Sequence, residues 1–501
     1  MVSWTVTATL KLGTLQMNEQ AKIIESLHTG VCIGGEWRAA STGRTFTVTD
    51  PATEKTLAEV ADAGTGDAMA ALDIAAETQA SWAAVAPRER SEILRRAFEL
   101  LNRRADEIAL LITTEMGKPL AEARGEVGYG AEFFRWFAEE AVRSHGEYRI
   151  APDGGSRFLT MKQPVGPSLL ITPWNFPLAM GTRKIGAALA AGCTCILKPA
   201  QQTPLTSLLL ADVMTEAGLP SGVLSVLPGT DPGAISEPLM ADRRMRKVSF
   251  TGSTQVGRIL LRQAADNVLR SSMELGGNAP FLVFADADID AAVEGAMVAK
   301  MRNGGESCVA ANRFFVQRDV AEEFTRKLAE RMSAMKVGPG TEEGVTVGPL
   351  IDGKQRGKVV ELVDDAVGRG ATVVTGGGAA DGDGYFFNPT VLRGVSDGAR
   401  MQHEEVFGPV APVYEFTTEE EALTAANNTE YGLVGYVYTS DLSRGMRVSE
   451  ALETGMVGLN RGLVSNAAAP FGGVKQSGLG REGGFEGIGE YQITKYVGLD
   501  V

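Results

Sequence analysis

What this 501-residue chain has little of already narrows its function. Only four cysteines occur, Cys32, Cys193, Cys195 and Cys308, with no disulfide framework and no C-x-x-C metal spacing. That usage fits a reducing, cytoplasmic compartment. The three histidines, His28, His145 and His403, lie far apart in sequence, which argues against a histidine-rich metal site. No apolar run approaches the ~20 residues that span a bilayer, so no membrane partner is expected. Residues 1–16 lack both the basic start and the cleavage site of an export signal. They read as a disordered lead or as sequence ahead of a second start at Met17. Basic residues are also in deficit, 48 against 62 acidic for a net charge of −14, which makes nucleic acid a poor partner. An anionic small substrate would need locally placed arginines.

What is present is the balance of a soluble enzyme, long enough for two or three domains. Residues 31–62 read as short extended pieces broken by turns. Helical patterns follow over roughly 66–83, 88–115 and 121–144, the last carrying Phe133, Phe134, Trp136 and Phe137. From 165 onward apolar runs alternate with helical stretches: VGPSLLIT (165–172), CTCILKP (193–199), GVLSVLPG (222–229) and RKVSFTG (246–252). Pro177 and Pro204 are each placed to open a helix. Buried, non-alternating strands between helices predict a parallel sheet covered on both faces. A second such block begins with APFLVF near 280 and runs to about 465. The reading is two α/β domains, 165–278 in the first and 279–465 in the second.

A sheet of this kind suits a dinucleotide, yet no G-x-G-x-x-G follows a strand. In its place stands F-T-G-S-T-Q-V-G, 250–257, where Gly252 frees the backbone and Ser253 can cap a helix whose N-terminus receives a pyrophosphate. Such junctions also carry Gly and Ser for structural reasons alone. Lys198 ends an apolar strand, where ligands of open α/β sheets bind, or where a lysine leaves the core for solvent. Cys308, in N-G-G-E-S-C-V-A-A-N-R (303–313), is by itself either a buried thiol or a nucleophile.

Seven segments taken together decide more. P-W-N-F-P (173–177), K-P-A (198–200), F-T-G-S-T-Q-V-G, E-L-G-G-N (274–278), G-E-S-C (305–308), E-E-V-F-G-P (404–409) and P-F-G-G-V-K-Q-S-G-L-G-R-E (470–482) resemble the aldehyde dehydrogenase superfamily in order and spacing. The likeness covers about 30–500, and the wording is nearest to the bacterial succinate-semialdehyde dehydrogenase group. The resemblance implies an aldehyde dehydrogenase-like α/β fold. Its parts would be a Rossmann-like coenzyme domain (17–145 and 168–278), a catalytic domain (279–468) and a small β oligomerisation element (146–167 and 485–501). It implies NAD(P)-dependent oxidation of succinate semialdehyde to succinate, with 4-aminobutyrate breakdown as the usual route. Cys308 would attack the aldehyde carbon, the Asn175 amide and the Cys308 N–H would hold the oxyanion, and Glu274 would activate the water that hydrolyses the thioester. Presence of that base favours a free acid over acyl transfer to coenzyme A.

The same resemblance assigns Lys198 and Glu405 to the cofactor's two riboses, Trp174, Gly252 and Ser253 to its groove and Phe407 to the nicotinamide side. It assigns Arg183, Arg302 and Ser465 to the substrate carboxylate, whose planar charge suits a guanidinium fork. Phe133 and Trp136 would line the rest of the tunnel. A longer semialdehyde acid, such as glutarate semialdehyde, fits the same clamp, and a broad aldehyde dehydrogenase is a further alternative. A binding protein that kept the fold and lost the chemistry could lack Cys308, Glu274 or Asn175, but all are present. No metal is implied.

Three departures from the family pattern stand out. Ala310 replaces a second cysteine, removing a disulfide shut-off. Glu306 replaces a glutamine two before the nucleophile and is expected to point away from it. Gln201 replaces a glutamate three after Lys198, which removes a repulsion toward a 2′-phosphate and leans toward NADP or dual use. The exposed C-terminal strand ITKYVGL needs a partner edge, so a homodimer or homotetramer is expected.

Overall fold

The computed structural model describes residues 19–380 and 382–500, so the reading of residues 1–16 lies outside the described residues. The apolar runs form two sheets. The first has eight strands, in the order Gly478–Leu479, Arg270–Glu274, Lys247–Thr251, Ser168–Ile171, Cys195–Lys198, Leu224–Val226, Val31–Ile33 and Glu36–Arg38. Its five central strands are parallel. The second has seven, in the order Thr372–Thr375, Thr390–Arg393, Val410–Phe416, Ala311–Gln317, Ala279–Val283, Val434–Tyr438 and Met456–Leu459, all parallel except the first. Burial on both faces explains why these strands read as continuous apolar runs: Leu169, Ile196, Leu197, Val248, Phe281 and Val283 are all fully buried.

Local chemistry sets the helix ends. Pro204 opens Pro204–Glu216 with the one residue whose missing N–H costs nothing there. Gly192, at φ +91, closes Ala179–Ala191 in the left-handed conformation a side chain resists. That helix opens two residues after Pro177, and the buried Glu126 carboxylate accepts the N–H groups of Leu178 and Ala179 at 2.9 and 3.2 Å. The stretch expected as one helix over 88–115 is two, Pro87–Arg103 and Ala105–Met116, broken where Arg104 takes φ −96, ψ 18. No glycine or proline announces that break. It lets an amphipathic helix give way to one whose Ile108, Leu111 and Ile112 are wholly interior.

A third sheet joins Gln492–Leu499 to Arg157–Pro164 and Tyr148–Ile150, and leaves Tyr148, Ile150, Ile493 and Tyr496 exposed. The returning chain adds Gly478–Leu479 to the first sheet beside Glu274, so the C-terminal segment closes over the end of that sheet.

Candidate active site

The carboxyl ends of the parallel strands converge on one cavity of about 220 Å3. Trp174 and Asn175 follow Ser168–Ile171, Gly252 and Ser253 follow Lys247–Thr251, and Glu274 ends Arg270–Glu274. Cys308 comes from the second sheet, on the loop ahead of Ala311–Gln317. All six line the cavity with Arg183, Arg302, Glu405, Phe407 and Ser465.

The loop before Cys308 is a left-handed run, with Asn303, Gly304 and Gly305 at φ +57, +59 and +79. Gly305 is obligatory, because a Cβ there would sit 2.2 Å from the Gly408 carbonyl oxygen. Asn303 ties this loop to Asn175: its side-chain amide donates to the Asn175 carbonyl at 3.1 Å and the Glu306 carbonyl at 2.9 Å. Asn175 Nδ2 donates to the same Glu306 carbonyl at 3.0 Å. Lys118 completes the brace, donating to the Asn175 carbonyl at 2.8 Å and to Glu126 at 2.5 Å. These are backbone-anchored bonds, so the amide assigned to the oxyanion is fixed before any substrate arrives.

Burial disfavours the charged form of both ionisable partners. Burial pushes the Cys308 thiol up to about 12, Arg183 pulls it back, and Glu405 and Glu274 push it further. Burial likewise raises the Glu274 carboxyl well above its usual range, with Glu482 adding and Arg183, Lys184 and Arg481 opposing. Neither Glu274 oxygen has a hydrogen-bond partner. A raised thiol reacts through a small thiolate fraction that grows with pH. Alkylation of Cys308 by iodoacetamide in the cofactor-free protein is therefore expected to speed up about tenfold per pH unit between about pH 6 and 9. A plateau near neutrality would contradict this environment.

Glu306 is buried and its carboxylate turns away from the cavity to accept the Ile351 N–H at 3.1 Å. Trp174 and Phe407 meet edge to face at 5.4 Å, and Phe407 holds a strained φ of +54 to do so. Glu405 accepts the Gly277 N–H at 3.3 Å, and a Cβ at Gly276 would crowd its other oxygen at 2.9 Å. Ser253 accepts the Val256 N–H, capping Thr254–Asp266 and leaving that helix's positive end facing the cavity. A helix start, a glycine-lined approach and a half-buried carboxylate whose pKa desolvation lifts to about 7 fit a ribose and pyrophosphate.

Lys198 and Gln201 stand apart from the cavity. Lys198 Nζ donates to the carbonyls of Pro199 and Gly229 at 3.0 and 3.4 Å, and burial lowers it to about 8 against the pull of Asp62 and Asp231. Gln201 is exposed and borders a separate depression with Gln202 and Thr230.

The substrate residues separate sharply. Arg302 and Ser465 meet at 3.4 Å, with the guanidinium over the rings of Phe176 and Tyr129 at 5.0 and 5.6 Å. Among the described residues Arg302 forms no ion pair. Arg183 was expected to share the clamp, but its Nε lies 2.5 Å from Glu482, which Lys184 also holds at 2.5 Å. A wholly buried guanidinium requires a counter-charge, and Glu482 already supplies it. Phe133 and Trp136 do not line the cavity. Phe133 is core, 5.9 Å behind Arg183, and Trp136 donates to the Gly484 carbonyl beside Phe485. The tunnel aromatics are Tyr129, Phe176 and Phe471. Tyr129 lies one turn before Phe133, so helical spacing signalled the face and missed the turn. Asn303 and Glu482 stand inside quoted motifs without an assigned role, and nothing in the sequence pattern marked Glu126.

Known proteins resemble the chain over nearly its whole length. The model of the aldehyde dehydrogenase family matches residues 37–497. The chain is 60% identical over 443 residues to a succinate-semialdehyde dehydrogenase of Paenarthrobacter nicotinovorans, covering 88% of this chain and 98% of that one. It is 50% identical over 469 residues to a glutarate-semialdehyde dehydrogenase of Pseudomonas putida, covering 94% and 97%. A solved structure described as an E. coli NADP-dependent enzyme superposes with a TM-score of 0.94 at 48% identity, covering 95% of this chain and 98% of that one.

Proposed function

The chain belongs to the aldehyde dehydrogenase family, and on that premise we propose that it oxidises succinate semialdehyde to succinate with NAD or NADP. One observation carries the substrate reading: Arg302, unpaired among the described residues, stands with Ser465 in the cavity that Cys308 shares. A free guanidinium in a largely apolar pocket calls for an anionic substrate tail. Arg183 lines the same cavity, with its charge shared between Glu482 and the Cys308–Glu274 pair. The four-carbon semialdehyde and its five-carbon homologue differ only in reach, and the Pseudomonas relative keeps the second in view.

Cys308 gives its proton up to solvent and adds to the aldehyde carbon as thiolate. The Asn175 amide and the Cys308 N–H receive the oxygen's charge as it develops. When bound, the nicotinamide would supply the hydride acceptor, leaving the acyl group on Cys308 as a thioester. Glu274 then activates water against the Cys308 thioester, and the free acid leaves. Lys198 and Glu405 would hold the two riboses, with Trp174, Gly252, Ser253 and Phe407 lining the groove between. The domain division given above and a homodimeric or homotetrameric, cytoplasmic enzyme belong to the same reading. Support for assembly comes from the apolar side chains left uncovered on the Gln492–Leu499 sheet.

The test is steady-state oxidation of succinate semialdehyde, glutarate semialdehyde and butanal with each cofactor. The reading requires a kcat/KM for the four-carbon semialdehyde well above that for butanal, and comparable rates for both would overturn it. Gln201→Glu is expected to raise the KM for NADP about tenfold and leave that for NAD within about twofold, by restoring a like charge beside the 2′-phosphate. Equal movement of both constants would remove Gln201 from cofactor choice.

A further inference from the structure

Glu122, in the first turn of the helix Leu120–Ala141, has no part in the chemistry above. Its Oε2 accepts the backbone N–H of Asn303 at 2.6 Å, at the residue where the nucleophile loop first turns left-handed. Asn303 is also the residue whose amide ties that loop to Asn175. Burial raises the Glu122 carboxyl while Lys118, the Asn303 N–H and Arg302 draw it back, and the Arg302 guanidinium lies over Tyr129, two turns further along the same helix. One carboxylate therefore anchors the loop carrying Cys308 and lies within the field of the clamp.

We propose that Glu122 is a positioning residue with two separable effects. Its hydrogen bond to Asn303 holds the nucleophile loop against Asn175, and its charge near Arg302 weakens the clamp's hold on a substrate carboxylate. The second effect rests on the semialdehyde reading, and the first does not. Anchoring follows from geometry. Asn303 takes the left-handed turn that asparagine tolerates, and the Glu122 bond pins its N–H so that the turn stays in register with Asn175. Nucleophile and oxyanion donor come from the two sheets, and a small displacement of either costs much of the rate. Softening follows from charge: Glu122 repels the same anionic tail that Arg302 attracts. The acid product keeps that tail, so an unopposed Arg302 would also retain product.

The full-length protein, Glu122→Gln and Glu122→Ala are compared with succinate semialdehyde and with butanal, alongside melting temperature and the rate of Cys308 alkylation. Glutamine keeps an acceptor for Asn303 and loses the charge; alanine loses both. Glu122→Ala is expected to lower kcat about 10- to 100-fold with both aldehydes and to change the alkylation rate. Glu122→Gln is expected to keep kcat within about threefold and to lower the KM for succinate semialdehyde several-fold, with the KM for butanal unmoved. Wild-type kcat in Glu122→Ala would overturn the anchoring, and parallel KM changes for both aldehydes in Glu122→Gln would overturn the charge effect. Should Glu122→Ala fold poorly, Glu122→Gln at wild-type melting temperature still decides the second effect, and the butanal kcat of a Glu122→Ser variant the first. A wild type indifferent to the substrate's charge sinks the semialdehyde reading, while the butanal kcat comparison still judges the anchor.

Discussion

Glu274→Gln is expected to turn over once and stop. The variant keeps a side chain of the same shape in a pocket where neither Glu274 oxygen has a partner, so the fold loses no hydrogen bond. What disappears is the group able to take a proton from water. Acylation of Cys308 still proceeds through the thiolate fraction present at high pH, with Asn175 holding the oxyanion. Hydrolysis of the thioester should fall by about 10²–10⁴. The observable is a burst of reduced cofactor close to one per active site, followed by a flat line, with intact mass showing an acyl group on the protein. A variant that shows neither burst nor adduct would place Glu274 in the first half-reaction alone. One with wild-type turnover would remove it from the chemistry.

Arg302→Ala and Arg183→Ala should fail in different ways, although both residues were expected to bind the same carboxylate. Arg302 has its charge to offer, so its loss is expected to raise the KM for succinate semialdehyde about 10- to 100-fold and leave butanal oxidation nearly unchanged. Arg183 is the inner partner of Glu482 at 2.5 Å, and both are buried. Its removal leaves Glu482 with Lys184 and the weak contact from Ser249 at 3.3 Å. That should cost about 3 kcal/mol of stability, read as a lower denaturation midpoint. It also takes away a positive charge that holds down the pKa of Glu274 and Cys308, so butanal and semialdehyde rates should fall together. Identical substrate-selective KM defects in both variants would restore the two-arginine clamp.

The contrast between these arginines shows where the sequence stopped being legible. Cys308, Glu274 and Asn175 could be named because the short motifs that hold them resemble those of the family; by its own residues Cys308 reads equally as a buried thiol. The sheets were legible because strands buried on both faces leave continuous apolar runs. Arg183 could not be read, since its partner Glu482 arrives from 299 positions later in a segment that returns to the first sheet. Long-range charge pairing has no local signature. Phe133 and Trp136 failed for a nearer reason: aromatic residues on one helix share composition and differ in direction by 100° per step. The break at Arg104 left no mark because tertiary burial of Ile108 and Ile112, not a breaker residue, produces it.

The most direct measurement is a crystal structure of Glu274→Gln reacted with succinate semialdehyde and cofactor, which traps the acyl group on the enzyme. The account predicts density joining Cys308 Sγ to a four-carbon chain, its far carboxylate within hydrogen-bond reach of Arg302 and the Ser465 hydroxyl. Arg183 should remain on Glu482. A carboxylate drawn onto Arg183 with the Glu482 pair broken, or left in solvent with Arg302 untouched, would contradict it.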